Sequence, residues 1–174
     1  DTPDAIIRYT TDGSEPTSQT GLVYSQPVPI SRTTVLRAAA FRSGLVPTNV
    51  DTQTYIFPAD VVALPTMNPN ITQNPVYGPR MHEALRAVPS ISLVFPGDVD
   101  RREKQASVEL INFEFGSTQL EAGMERFGNY VTNFSKRGIR LNFRSQYGPA
   151  KLRFPVFDGH EYSKIPPAGQ FDSI

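Results

Sequence analysis

The stretch AIIRYTTDG, Ala5 to Gly13, taken with VLRAAAFR, Val35 to Arg42, decides how this chain is read. Isoleucine, tyrosine and threonine fit a pleated, half-buried surface, so Ala5 to Thr10 is expected to be a strand. Asp12-Gly13 behind it supplies the positive φ angles of a tight hairpin turn. Val35 to Arg42 reads as a second strand. Thr52 to Phe57 closes the block: Thr52, Thr54 and Ile56 alternate with Gln53, Tyr55 and Phe57, the period of a strand. Across the 174 residues, sixteen prolines and twelve glycines punctuate short runs of Val, Ile, Phe, Tyr and Thr. That texture predicts short strands joined by defined turns, a mostly β chain.

Three segments follow from this punctuation. Residues 1–57 read as a small β-sandwich. Residues 58–88 read as a proline-rich linker with one short helix, because Pro58, Pro65, Pro69, Pro75 and Pro79 recur and proline cannot donate to a sheet ladder. In the helix, Met81, Ala84, Leu85 and Val88 fall on one face, and Pro89 ends it. Residues 89–174 read as an incomplete β-rich block. Its strands are Ser90 to Phe95, Ala106 to Phe115, and Leu120 to Phe127 pairing back after Gly116-Ser117. In a fourth, Ile139, Leu141 and Phe143 face a core while Arg140, Asn142 and Arg144 face outward. There is no internal repeat and no low-complexity tract.

Composition removes several function classes. With 17 basic and 17 acidic residues, no net field draws the chain to nucleic acid or to a membrane surface. The absence of cysteine excludes disulfides and thiolate chemistry. Two histidines, His82 and His160, are too few and too far apart for a histidine zinc site. No apolar run approaches the roughly 20 residues of a membrane-spanning helix, and no stretch reads as a signal peptide. Opening at Asp1 and closing at Asp172-Ser173-Ile174, the chain is expected to be a segment of a longer protein. No serine elbow, glycine-rich phosphate loop or paired acid and base stands out, so no catalytic residue, cofactor or metal is assigned.

One charge feature remains. Lys136, Arg137, Arg140, Arg144, Lys151 and Arg153 lie in a stretch without an acid. They are candidates for holding an anion or an acidic partner protein; the alternative is a strand edge guarded by charge against aggregation. Asp98, Asp100 and Glu103 interleave with Arg101, Arg102 and Lys104, as in a solvated, self-neutralised loop. Tyr9, Tyr24, Phe41, Tyr55 and Phe57 suit either a core or a sugar-stacking face, and core packing is the expectation. Asn70-Ile71-Thr72 and Asn133-Phe134-Ser135 match the glycosylation acceptor pattern.

Two family resemblances bear on function. Ile7 to Pro16 (IRYTTDGSEP), with Val23-Tyr24 and Val35 to Phe41, resembles the chitobiase/β-hexosaminidase C-terminal domain. That resemblance implies an immunoglobulin-like β-sandwich, an accessory module without catalytic residues. Residues 88–174 resemble the opening of the CotH-like spore-coat kinase family, through Pro89 to Phe95, Ala106 to Ile111, Ala122-Gly123-Met124 and Gly138 to Phe157. The acidic residues that family uses for metal binding and phosphoryl transfer are expected downstream of Ile174. The function expected is a non-catalytic, extracytoplasmic, bacterial accessory or scaffolding segment that docks on a larger assembly, at the outer face of a membrane complex. The alternatives are a carbohydrate-binding module and the N-terminal part of an atypical kinase. No nucleic-acid partner and no transmembrane segment are expected.

Overall fold

The structure is a computed structural model, and it describes residues 2–113, 116–128, 138–154, 156 and 170–174. It is mostly β, with two antiparallel four-stranded sheets and a few short helices, consistent with a sandwich-like class. The chain divides into two compact units, Asp1–Val88 and Pro89–Ile174.

In the first unit, β1 (Ile6–Thr10), β2 (Leu22–Val23), β3 (Thr34–Phe41) and β4 (Asp51–Tyr55) form a sheet in the order β2-β1-β3-β4. Asp12-Gly13 turns the chain but does not close a two-residue hairpin, because residues 11–21 separate β1 from β2. The Asp12 carboxylate accepts from Ser14 N–H at 3.0 Å and Ser14 Oγ at 2.6 Å, a local turn that competes with the ladder. Gly13, at φ 79°, then donates its N–H to Val35 O at 3.1 Å. The chain therefore crosses toward β3 instead of folding straight back on β1. Arg8 holds the far end of this excursion through Gly21 O at 3.0 Å. Gly21 has to be glycine: its φ is +92°, and a Cβ there would lie 2.9 Å from Tyr9 O.

The proline-rich stretch is helical where a linker is expected. Pro58 opens α1 (Pro58–Val62) and Pro69 opens α2 (Pro69–Thr72). Pro79 lies in the 3-10 turn Gly78–Arg80 that runs into α3 (Met81–Ala87). Proline lacks an N–H that the first helical turn leaves unpaired anyway, and its φ is already helical. Pro58 and Pro69, which read as linker residues, are starters. Asn68 caps α2 by accepting from Asn70 N–H at 3.0 Å. Thr33 ties α1 to the sheet region, accepting the Phe57 N–H at 2.9 Å and donating its own N–H to the Asp60 carboxylate. On α3, Met81 and Leu85 are half-buried, while Ala84 and Val88 stay exposed.

In the second unit, β5 (Ser90–Val94), β6 (Lys104–Phe113), β7 (Gly116–Phe127) and β8 (Gly138–Asn142) pair in sequence order. Register places Ala106 opposite Ala122, Val108 opposite Leu120 and Lys104 opposite Met124, and Met124 opposite Leu141 on β8. With period two, one face of the sheet is thus apolar. Phe143, Leu152 and Phe154 join that face in a buried core, and the Phe113 and Phe154 rings meet edge to face with centroids 5.6 Å apart. Beyond β8 the last residues continue the pairing. Leu141 N–H reaches Ile174 O at 2.8 Å and Phe143 N–H reaches Asp172 O at 2.8 Å, while Leu152 and Phe171 exchange bonds of 2.9 and 3.0 Å. The outer side of β8 is therefore paired at Leu141, and the described strands of the second unit bury a core of their own.

Candidate functional site

The polar face of the second sheet gathers the ionisable side chains. Glu121, Gly123 and Glu125 on β7, Gln105 and Ser107 on β6, and Arg140 and Asn142 on β8 share it by register. Glu103, immediately before β6, also turns onto this face. Its Oε2 accepts from Asn142 Nδ2 at 2.7 Å and from the Arg144 guanidinium at 3.0 Å, and its Oε1 accepts from Tyr147 OH at 3.0 Å. Glu125 Oε1 accepts from the same Asn142 amide at 3.4 Å and pairs with Arg140 at 3.6 Å. Asn142 thus bridges two carboxylates, one NH₂ donor group serving both.

Gly123 makes this possible. A Cβ at that position would lie 2.6 Å from the Tyr147 ring and 2.7 Å from Glu103 Cδ, so only glycine lets the tyrosine and the carboxylate lie against β7. Asn142, assigned to an outer face by alternation, is 8% exposed. Glu103 does not belong to a self-neutralised loop; it leaves the loop for the sheet. Asp100 does behave as expected of that loop. It accepts from Arg102 N–H at 2.8 Å and pairs with Lys104 at 3.1 Å. The Arg102 backbone bond, then Lys104, hold its carboxyl below the ordinary 3.8.

Among the described residues the cations of the basic stretch are divided among separate partners. Arg140 pairs with Glu125, Arg144 with Glu103, and Lys151 with Asp172 at 3.4 Å. Arg153 is exposed, and Lys136 and Arg137 lie outside the described residues, as do His160 and the Asn133 acceptor motif. Three of the cations are therefore spent, at least in part, on the chain's own carboxylates. The chemistry of this face is fastening: Glu103 and Glu125 tie the end of β8 and the segment after it to β6 and β7. Sequence reading missed Glu125 and Tyr147 and left Glu103 in a loop because the partners lie 17, 44 and 39 residues away, separations at which no local pattern exists. Among the described residues no group of three or more His, Asp or Glu side chains could hold a metal ion.

The first unit presents a different surface. Register puts Ile7 and Tyr9 of β1, Leu22 of β2, Leu36, Ala38 and Ala40 of β3 and Tyr55 of β4 on one sheet face. Tyr24 joins them, its ring 6.5 Å from Tyr9 at 79°. Leu22 is 61% exposed and Tyr24 47%. None of the five aromatic residues expected to pack in a core is buried. On the opposite face Ala39 and Thr52 are buried and Arg37 donates to Gly13 O at 3.4 Å, while Ile6 and Val23 are exposed.

Comparison with known proteins fits this division. Residues 1–52 match the family model of the chitobiase/beta-hexosaminidase C-terminal domain, which is consistent with an accessory or binding role. The comparisons give no support for a CotH-like second block. Neither the curated proteins nor the solved structures contain a match. No helix among the described residues is long and apolar enough to cross a membrane.

Proposed function

We propose that the chain is an extracytoplasmic accessory segment, without catalysis of its own, that docks on a larger protein assembly through its first unit. The observation that carries this reading is the open face of the first sheet. Ile7, Leu22, Tyr24 and Tyr55 are each more than 40% exposed on one surface, and side chains of that kind are enriched where proteins meet. The family match on residues 1–52 supports an accessory role. Placement outside the cytoplasm rests on the same match, and the parent protein is taken to be bacterial.

A carbohydrate-binding module is the second reading, favoured by Tyr9, Tyr24 and Tyr55 on that face. The edge-to-face setting of Tyr9 and Tyr24 works against it, since a sugar ring stacks best on rings lying flat. A photo-crosslinker at Leu22, in the native cell envelope, should trap one protein, and Ile7→Glu with Tyr24→Glu should abolish that product. Retention of the purified chain on an insoluble polysaccharide, lost in Tyr24→Ala, would replace docking by glycan binding.

A further inference from the structure

In the first unit a cleft of about 420 Å³ opens on the sheet face opposite the apolar face proposed for docking. Ile6 and Arg8 of β1 and Phe41 of β3 share that face by register and line the cleft from the sheet. The remaining lining comes from two connections: Ser18 and Gln19 between β1 and β2, and Arg42, Ser43, Leu45 and Pro47 between β3 and β4. We propose that this cleft binds a small organic carboxylate, its acid group at Arg8 and its carbon body against Ile6, Phe41 and Leu45. Docking through Ile7, Leu22, Tyr24 and Tyr55 uses other side chains on the other face, so either reading can fail alone.

Charge supports the acid group. Arg8 is half-buried, and its side chain donates to the neutral Gly21 O at 3.0 Å. Among the described residues no carboxylate pairs with Arg8 and none lines the cleft. A partly desolvated cation without a counter-charge is costly, and an incoming carboxylate offsets that cost. The bond to Gly21 uses one of several guanidinium donors and restrains the group, leaving others for the two oxygens of an acid. Arg42 is the lesser cation here: the exposed Asp4 stands 4.0 Å from its guanidinium, so binding does not depend on it.

The rest of the lining favours an organic acid over an inorganic anion. Ile6 is 49% exposed and Leu45 56%, and with Phe41 and Pro47 they present carbon surface that phosphate or sulfate would leave in water. Ser18, Gln19 and Ser43 add hydroxyl and amide groups able to hold a polar substituent. Apolar walls with a few polar groups, at this volume, suit a small-molecule ligand. Both connections are also tied by their own hydrogen bonds. Thr17 Oγ1 accepts from Gln19 N–H at 3.1 Å and from Thr20 N–H at 3.0 Å. Thr48 accepts the Ala40 N–H on its hydroxyl at 2.9 Å and donates its own N–H to Ala40 O at 3.1 Å. Walls held before the ligand arrives lower the ordering cost of binding.

The test is amide NMR titration of the full chain with sodium glucuronate, sodium benzoate, the methyl ester of each acid, and sodium phosphate. Sodium chloride at matched ionic strength is the reference. Saturable shifts at the Arg8, Gln19 and Ser43 amides are expected with at least one acid, and none with its ester. Arg8→Gln should weaken binding about tenfold, the scale of one lost charge-assisted contact. Arg8→Lys, which keeps the charge but loses the fork, should fall between. Leu45→Ser should weaken it about fivefold by removing carbon surface from the cleft. Arg80→Gln, in the 3-10 turn and outside the cleft, should leave it unchanged. Should Arg8→Gln release the loop at Gly21, Leu45→Ser carries the test, because Leu45 is exposed. The site is overturned if neither acid binds better than chloride, or if the esters or phosphate bind as well as the acids. It is overturned too if Arg8→Gln and Leu45→Ser both bind as the parent does, or if Arg80→Gln weakens binding equally. With the site upheld, tighter binding of glucuronate names a sugar acid as the source of the carboxylate, and tighter binding of benzoate names an aromatic acid.

Discussion

In the second unit Val108 and Leu110 are 0% exposed and sit in a core with Ala106, Ala122, Met124, Leu141 and Phe154. In the first unit Ala39 is the one buried hydrophobic among the described residues in the core set. Fifteen large apolar side chains of residues 1–88 are exposed, against Ile91, Phe127 and Ile139 in the rest of the described chain. Both units are built on four antiparallel strands of similar texture. What separates them is the chain that follows the strands. After β8, Phe143, Leu152 and Phe154 return to the apolar face and Phe171 and Ile174 pack beside them. After β4, the chain forms helices that pack on one another, α1 on α3 and α2 on the 3-10 turn. A sheet buries a face only when something is laid on it.

The sharpest way to break this comparison is to delete the same side chain from each sheet. Leu110→Ala removes a fully buried side chain and leaves a cavity, so a loss of about 2–5 kcal/mol is expected. Leu22→Ala, at a position 61% exposed, should change stability by less than about 0.5 kcal/mol. Urea unfolding of both variants, followed by probes in each unit, decides between them. Equal losses would mean that the first sheet face is covered after all.

The polar face of the second unit sharpens the contrast at a smaller scale. Gly123→Ala pushes a methyl against Tyr147 and Glu103, at 2.6 and 2.7 Å, and should cost about 1–3 kcal/mol by overpacking. Tyr147→Phe removes only the hydroxyl bond to Glu103, worth about 0.5–1.5 kcal/mol. Gly44→Ala, in the first unit, meets no atom within 4 Å, and its cost is confined to the φ of +79°. If Gly123→Ala is the mildest of the three, the glycine is not holding Glu103 and Tyr147 against β7.

Strands were the legible part of this fold. Period-two alternation and β-branched residues located β1, β3, β4, β5, β6, β7 and β8, because those signals are local. The two-residue β2 gave none. The prolines misled because proline forbids a ladder and also suits a first helical turn; Pro58 and Pro69 carry no mark that selects between those roles. The candidate site was mostly illegible. Arg140 and Arg144 could be picked out as cations, but their carboxylate partners Glu125 and Glu103 depend on a register among β6, β7 and β8 that only the folded sheet defines. The aromatic residues of the first unit read as core because an aromatic in a strand is usually buried, and composition does not reveal a missing cover.

The smallest expected effects come from one carboxylate in each unit. Asp12 is held below the ordinary 3.8 first by the Ser14 hydroxyl and then by the Ser14 backbone N–H. Asp100 is held below it first by the Arg102 backbone N–H and then by Lys104. In both cases the folded state binds the proton less readily than the unfolded chain does. Each group therefore contributes stability that is fully present above pH 3.8 and is lost as the pH falls through its lower, folded value. Side-chain carboxyl resonances followed by NMR from pH 6 downward should titrate below 3.8 for both. Ser14→Ala should move Asp12 back toward that value and leave Asp100 unmoved, since the Asp12 contacts are confined to a residue two positions away. Lys104→Met should move Asp100 and, because Asp100 O also receives the Arg126 N–H, should perturb amide shifts on β7 as well. Added salt should weaken the Lys104 contribution more than the two backbone ones. An Asp100 midpoint at or above 3.8, or no β7 response to Lys104→Met, would show that the loop before β6 floats free of the sheet.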